Sequence, residues 1–323
     1  MRKTLFFLFL IVSSIVGISM RNFFLIWRII EINLLLFIPI LRLTRLNSYP
    51  SLVGLKYFFI QSLGSIIFFI TVSVSILIYF NREKISILIT LRLLLKLGIP
   101  PFHIWLFNFI IDLDWKLFFI IASWQKILPF FMLRQVILEN IDFIIILGLI
   151  ICMGLSFNYS RIKILLINSS IFTSMWIISS IIFIKILWLY LYILYRIILL
   201  FCVLIFFNYK INLIENNNYF RINLINKINV FLLLLSMAGL PPFLGFYIKL
   251  IILLVILFYT KYFLAISIVF CSVFLIYIYL RFFLNSLAIQ SVNYKNYIQF
   301  KSLNYFSILI VSYSIRIILF FIW

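Results

Sequence analysis

Residues 228–257 read INVFLLLLSMAGLPPFLGFYIKLIILLVIL, thirty positions with one lysine, no acid and a proline pair in the middle. A helix of about 20 mostly apolar residues crosses the hydrocarbon of a bilayer, so this run is long enough to span it. The proline pair predicts that it crosses in two pieces. Proline has no N–H, and its ring collides with the carbonyl four residues back. Pro241 and Pro242 thereby release the carbonyls of Met237 and Ala238. Irregular backbone at membrane depth is tolerated only where protein buries it or a cavity hydrates it.

The rest of the chain repeats the pattern. Of 323 residues, 67% are hydrophobic and 11% charged, and mean hydropathy is +1.28. A soluble fold would need a polar shell that this composition cannot supply. Eleven apolar runs are candidates for spans: roughly 4–20, 22–41, 55–79, 85–107, 115–137, 141–158, 163–182, 184–207, 228–257, 259–284 and 303–323. The seventh and eighth are separated only around Lys185, which leaves ten as an alternative. The connections leave no room for a soluble domain. The fold class is therefore an all-α polytopic membrane protein of about eleven helices, in one domain over 1–323. The first run follows Met-Arg-Lys without a small-residue cleavage site, and it is expected to stay as the first span. Cys152, Cys202 and Cys271 lie inside apolar runs at no metal-binding spacing and read as free thiols.

A net charge of +20 would suggest nucleic acid as the partner of a soluble protein. Here most basic residues sit in short connections, as the positive-inside rule requires. With eleven alternating spans, thirteen lysines and arginines fall on one face and six on the other. The N-terminus is thus expected on the cytoplasm-like side and Trp323 on the opposite side. Phe, Ile, Leu, Asn and Tyr abound while Ala occurs four times, as in an AT-biased genome such as many mitochondrial ones.

Charge inside a span costs about 2.5–3.5 kcal/mol on insertion scales, so mid-span ionisable groups are the informative residues. Lys116, Arg134 and Lys185 lie near span ends, where a long stem snorkels to the interface. Glu31, Lys96, Lys126 and Lys249 lie well inside their runs and must face protein or water. A structural ion pair is one reading of each. Three lysines cannot all pair with one glutamate, however, so some must be able to shed charge, and such a lysine can carry a proton. Arg28 stands three residues before Glu31, where the two can pair on one helix face. The run over 85–107 carries a second proline pair, Pro100-Pro101, which releases the carbonyls of Lys96 and Leu97. Interrupted spans in both halves suggest a transport pathway, with a kink packed by neighbours as the alternative. His103 is the only histidine, beside that break and seven residues from Lys96, and reads as a proton relay or a satisfied structural group. No phosphate-binding glycine loop, cysteine cluster or histidine ligand set is present, so catalytic redox, cofactor and metal sites are not expected here.

These segments together resemble a known family. WRIIEINLLLFIP (27–39), KLGIPPFHIW (96–105), SWQKILPFFML (123–133) and SMAGLPPFLGFYIK (236–249), with KYFFIQSLGS (56–65) and YIYLR (277–281), are similar in order to subunit 2 of respiratory complex I. That subunit is an antiporter-like membrane component of the proton-pumping NADH:ubiquinone oxidoreductase. The resemblance implies an antiporter-like fold and a buried Glu31–Lys96 pair. It makes Lys126 the central lysine, Lys249 the lysine of the second broken helix, and His103 a pathway residue. It also implies proton translocation across the mitochondrial inner membrane, with the N-terminus in the matrix and the C-terminus in the intermembrane space. NADH, FMN, iron–sulfur clusters and ubiquinone would belong to partner subunits, and neighbouring antiporter-like subunits and lipids would be the contacts. The sequence departs from the family at Ile29, where a glycine is usual, and at Arg28, Phe107-Asn108 and Thr173. A subunit of a multi-subunit cation/proton antiporter and a non-pumping scaffold are the rival readings.

Overall fold

The computed structural model describes residues 2–20, 22–43, 50–77, 82–136, 141–156, 161–184, 186–209, 224–241 and 243–292. The run over 303–323, with Arg316, lies outside them, as do Lys185 and Pro242. The chain forms two compact units, Met1–Gly148 and Leu149–Trp323.

The first unit contains α1 (Arg2–Ser19), α2 (Phe23–Leu43), α3 (Pro50–Leu77) and α4 (Arg82–Leu97). After a break come α5 (Ile104–Ile111), α6 (Trp115–Ala122) and α7 (Ile127–Gln135). α1 packs on α2, α2 on α3 and α3 on α4, while α7 lies against α1, α2 and α4. α8 (Asp142–Ser156) straddles the division between the units. The second unit holds α9 (Ile162–Phe183), α10 (Leu187–Asn208), α11 (Leu224–Ala238), α12 (Leu244–Phe258) and α13 (Tyr262–Val292). α9 is its centre: it touches α10, α11 and α12, and every residue from Ile162 to Ile181 is buried.

Apolar stripes cover the outside, which is the signature of a lipid-facing surface. On α10, Leu189, Ile193, Ile197, Leu200 and Leu204 are exposed at helical spacing. Inside, polar side chains are matched locally. Ser169, Ser170, Ser174, Ser179 and Ser180 each donate to the carbonyl three residues back on α9, so a helix rich in serine can be wholly buried.

Six helical stretches, one of them Trp115–Gln135 running through α6 and α7, are long and apolar enough to cross a membrane, and four shorter apolar helices accompany them among the described residues. The runs over 163–182 and 184–207 are separate helices, α9 and α10. Both runs that carry a proline pair are interrupted as expected. A third run is interrupted without a proline pair: 115–137 divides into α6 and α7 at a single 3-10 turn, Trp124–Lys126.

Candidate functional site

The two proline-bearing breaks have the same backbone design. α4 ends at Leu97; Gly98 then turns with φ 67° while Ile99 N–H donates to Leu94 O at 3.0 Å. α11 ends at Ala238; Gly239 turns with φ 87° while Leu240 N–H donates to Leu235 O at 3.3 Å. Each is a helix terminus of the Schellman kind, with glycine where a side chain would be strained. Phe102 N–H then closes on Ile99 O, and Phe243 N–H on Leu240 O, both at 2.9 Å, before α5 and α12 begin. Glycine stops each helix, and the prolines prevent it from resuming in register.

In the first unit the charges converge beside the break. Lys96 Nζ donates to Glu31 Oε1 at 2.7 Å, joining the last turn of α4 to the middle of α2. Arg92, one turn earlier on α4, places Nη2 3.9 Å from the same oxygen. Its Nε donates to Gly64 O on α3 at 2.7 Å, and Cζ lies 3.7 Å from the centre of the Phe68 ring. The expected Arg28–Glu31 pairing does not form. Arg28 is exposed, with its guanidinium over Phe24, and Glu31 turns to the opposite neighbours. Of the carbonyls released by the prolines, that of Lys96 accepts from Gln61 Nε2 at 3.3 Å. His103 is buried at the start of α5, edge-on to Phe107, and its Nδ1 has no hydrogen-bond partner among the described residues.

Lys126 is buried in the 3-10 turn. The turn is pinned from both sides: Ser123 Oγ donates to Phe119 O, and Trp124 Nε1 donates to Ser14 Oγ on α1 at 3.1 Å. Lys116 and Arg134 are exposed near their helix ends, in keeping with snorkelling.

In the second unit Lys249 reaches back from α12 to the end of α11. Nζ donates to Met237 O at 2.5 Å and Ala238 O at 2.8 Å, the two carbonyls released by Pro241 and Pro242. The Phe172 and Trp176 rings of α9 stand 5.6 and 5.5 Å from Nζ. Among the described residues no carboxylate pairs with this ammonium. A Cβ on Gly239 would lie 2.8 Å from Lys249 Cδ, so the glycine also makes room for the lysine stem.

Three basic residues escaped the sequence reading. Arg92 goes unmarked in the sequence analysis, although its spacing of four from Lys96 puts both on one helix face. Lys163 and Lys227 were counted with the connections, but both are buried near the starts of α9 and α11.

Among the described residues no group of three or more His, Cys, Asp or Glu could hold a metal ion. No protein-family profile matches the chain. Its fold is similar to a chain of respiratory complex I from Thermus thermophilus, with a TM-score of 0.74 at 17% identity over 94% of this chain and 75% of that one. It is also similar to a chain of the Mrp complex from a Dietzia species, with a TM-score of 0.69 at 15% identity over 84% and 59% of the two chains. Both share the antiporter-like fold. In sequence it is 37% identical over 304 residues to NADH-ubiquinone oxidoreductase chain 2 of Aedes aegypti, covering 91% of this chain and 87% of that protein. Identity at that level over nearly the whole length shows that the chain belongs to the NADH-ubiquinone oxidoreductase chain 2 family.

Proposed function

We propose that the chain, as one antiporter-like domain over 1–323, takes part in proton translocation by the membrane arm of complex I. Its place is the mitochondrial inner membrane, with the N-terminus in the matrix and the C-terminus in the intermembrane space. NADH, FMN, iron–sulfur clusters and ubiquinone belong to partner subunits, and other antiporter-like subunits flank it. Glu31, Lys96, His103, Lys126 and Lys249 are the proton-handling groups, and the breaks at Pro100-Pro101 and Pro241-Pro242 supply the polar backbone beside them.

The observation that carries this reading is the setting of Lys249. A buried ammonium in a membrane is costly, and its usual resolution is a carboxylate partner. Lys249 has backbone oxygens instead. Carbonyl dipoles solvate the cation without neutralising it, so the amine can lose its proton without stranding an opposite charge. In the first unit Lys96 has a partner, and Glu31 keeps one side partly open, with 25% of its side chain exposed. Charge added or removed at either residue changes the field at the other over a 2.7 Å contact.

A scaffold would lose stability by burying these charges for no return. The cation/proton antiporter reading is supported by the likeness to the Mrp chain, but family membership favours complex I.

Lys249→Met tests the reading, since it keeps the stem's bulk and removes only the titratable group. The complex is expected to assemble, with NADH oxidation coupled to proton transport reduced. Unchanged oxidation and an unchanged proton-to-electron ratio would make Lys249 a structural residue.

A further inference from the structure

Arg92 is wholly buried, and its nitrogens are unequally treated. Nε is bound to Gly64 O and the head lies on the Phe68 ring, so α3 holds the guanidinium in place. Nη1 and Nη2 are buried with no hydrogen-bond partner. Nη2 nevertheless lies 3.9 Å from Glu31 Oε1, the oxygen that Lys96 already occupies at 2.7 Å. A guanidinium fork is shaped to bind a carboxylate through two N–H groups. Here the nearer nitrogen stops about 0.7 Å beyond the usual N–H···O range of the carboxylate oxygen.

We propose that Arg92 is a second seat for the Glu31 carboxylate, which moves from Lys96 to Arg92 whenever Lys96 gives up its proton. The proposal rests on the proton-carrying reading of Lys96 given above. When the Lys96 ammonium passes its proton to water, the neutral amine no longer balances Glu31. Arg92, 3.9 Å away, is then the one cation left beside the partly exposed carboxylate, and a weakly held charge at that depth is unfavourable. A shift of about 1 Å brings it into bonding range of Arg92 and satisfies nitrogens that now have no partner. Glu31 stays ionised throughout, and one carboxylate with two cations passes from net +1 to neutral.

The geometry assigns the moving part. Arg92 is clamped at two points, whereas Glu31 has 25% of its side chain exposed and is held through Lys96 alone at hydrogen-bond distance. Gly64 serves both seats: its carbonyl anchors Arg92, and the missing side chain admits the Lys96 stem, since a Cβ there would lie 3.3 Å from Lys96 Cγ. Arg28, on Glu31's own helix, is exposed over Phe24 and takes no part in the exchange. Arg92 is thus a positioning residue that acts through Glu31.

A double-mutant cycle in the assembled complex tests this. Lys96→Met imitates a permanently neutral lysine, and Arg92→Gln removes the second seat while keeping a donor for Gly64 O. Recovery of intact complex should stay within about twofold of wild type in either single variant and fall more than about tenfold in the double. Adding Glu31→Gln to the double should restore recovery, and Arg92→Lys in the Lys96→Met background should preserve it. Independent effects of the two substitutions would overturn the proposal. So would failure of Lys96→Met alone to the depth of the double. If Arg92→Gln alone loses the complex, rescue by Glu31→Gln supports the second seat, and no rescue makes Arg92 a packing residue and overturns it. The proton-to-electron ratio of Lys96→Met is read separately. An unchanged ratio refutes proton carriage by Lys96, whereas an additive cycle refutes the second seat at any ratio.

Discussion

The ammonium of Lys249 donates to the main-chain oxygen of Ala238 at 2.8 Å, so the cation is held by a group that the helix break itself sets free. The corresponding carbonyl pair of the first break is treated differently. There the lysine faces a carboxylate, and the amide of Gln61 covers the Lys96 carbonyl. One turn design thus supports two kinds of lysine site, one ion-paired and one held only by dipoles.

Gly239→Ala should damage the second site. Its φ of 87° is unfavourable for alanine, and the new methyl would meet the Lys249 stem at 2.8 Å. A loss of about 1–3 kcal/mol is expected from the backbone alone, visible as a lower thermal midpoint of the purified complex. Gly154→Ala, in the last turn of α8, where an added Cβ meets no neighbouring atom within 4 Å, is the control and should be neutral or slightly stabilising. Equal midpoints for the two variants would contradict the geometry.

Gln61→Leu should open the first break. It keeps the bulk but leaves the Lys96 carbonyl without its 3.3 Å donor, a cost of about 1 kcal/mol for a bond of that length. Amide exchange of Gly98 and Ile99 should quicken, with little change along α9. Unaltered exchange at the break would mean that Gln61 does not hold it.

Arg28→Gln should be tolerated. Arg28 is exposed and contacts the Phe24 ring, so its removal is expected to change stability by no more than about 0.5 kcal/mol. The proton-to-electron ratio should stay at the wild-type value. A fall comparable with that of Lys249→Met would show that Arg28 acts on Glu31 after all.

Much of this molecule could be read from local sequence. The thirty-residue run over 228–257 exceeds one span's requirement, and its prolines must release the carbonyls of Met237 and Ala238 wherever the segment packs. Lys249 likewise has no nearby acid in the sequence, and its buried setting follows from its depth in the run. The 3-10 turn at Lys126 left no such trace, because its Trp124 is held by Ser14 of α1, 110 residues away in sequence.

What the sequence alone determined was the membrane class, the places where helices must break, and which charges lie too deep to escape. Those follow from apolar length and from proline's missing N–H, properties that each segment carries with it. Only the tertiary structure decided the partners. Spacing allowed Arg28 to meet Glu31, yet α2 is rotated so that Glu31 faces α4, where it finds Lys96 and Arg92. Rotation of a helix about its axis is set by the neighbours it packs against, and no local pattern in a uniformly apolar segment records it.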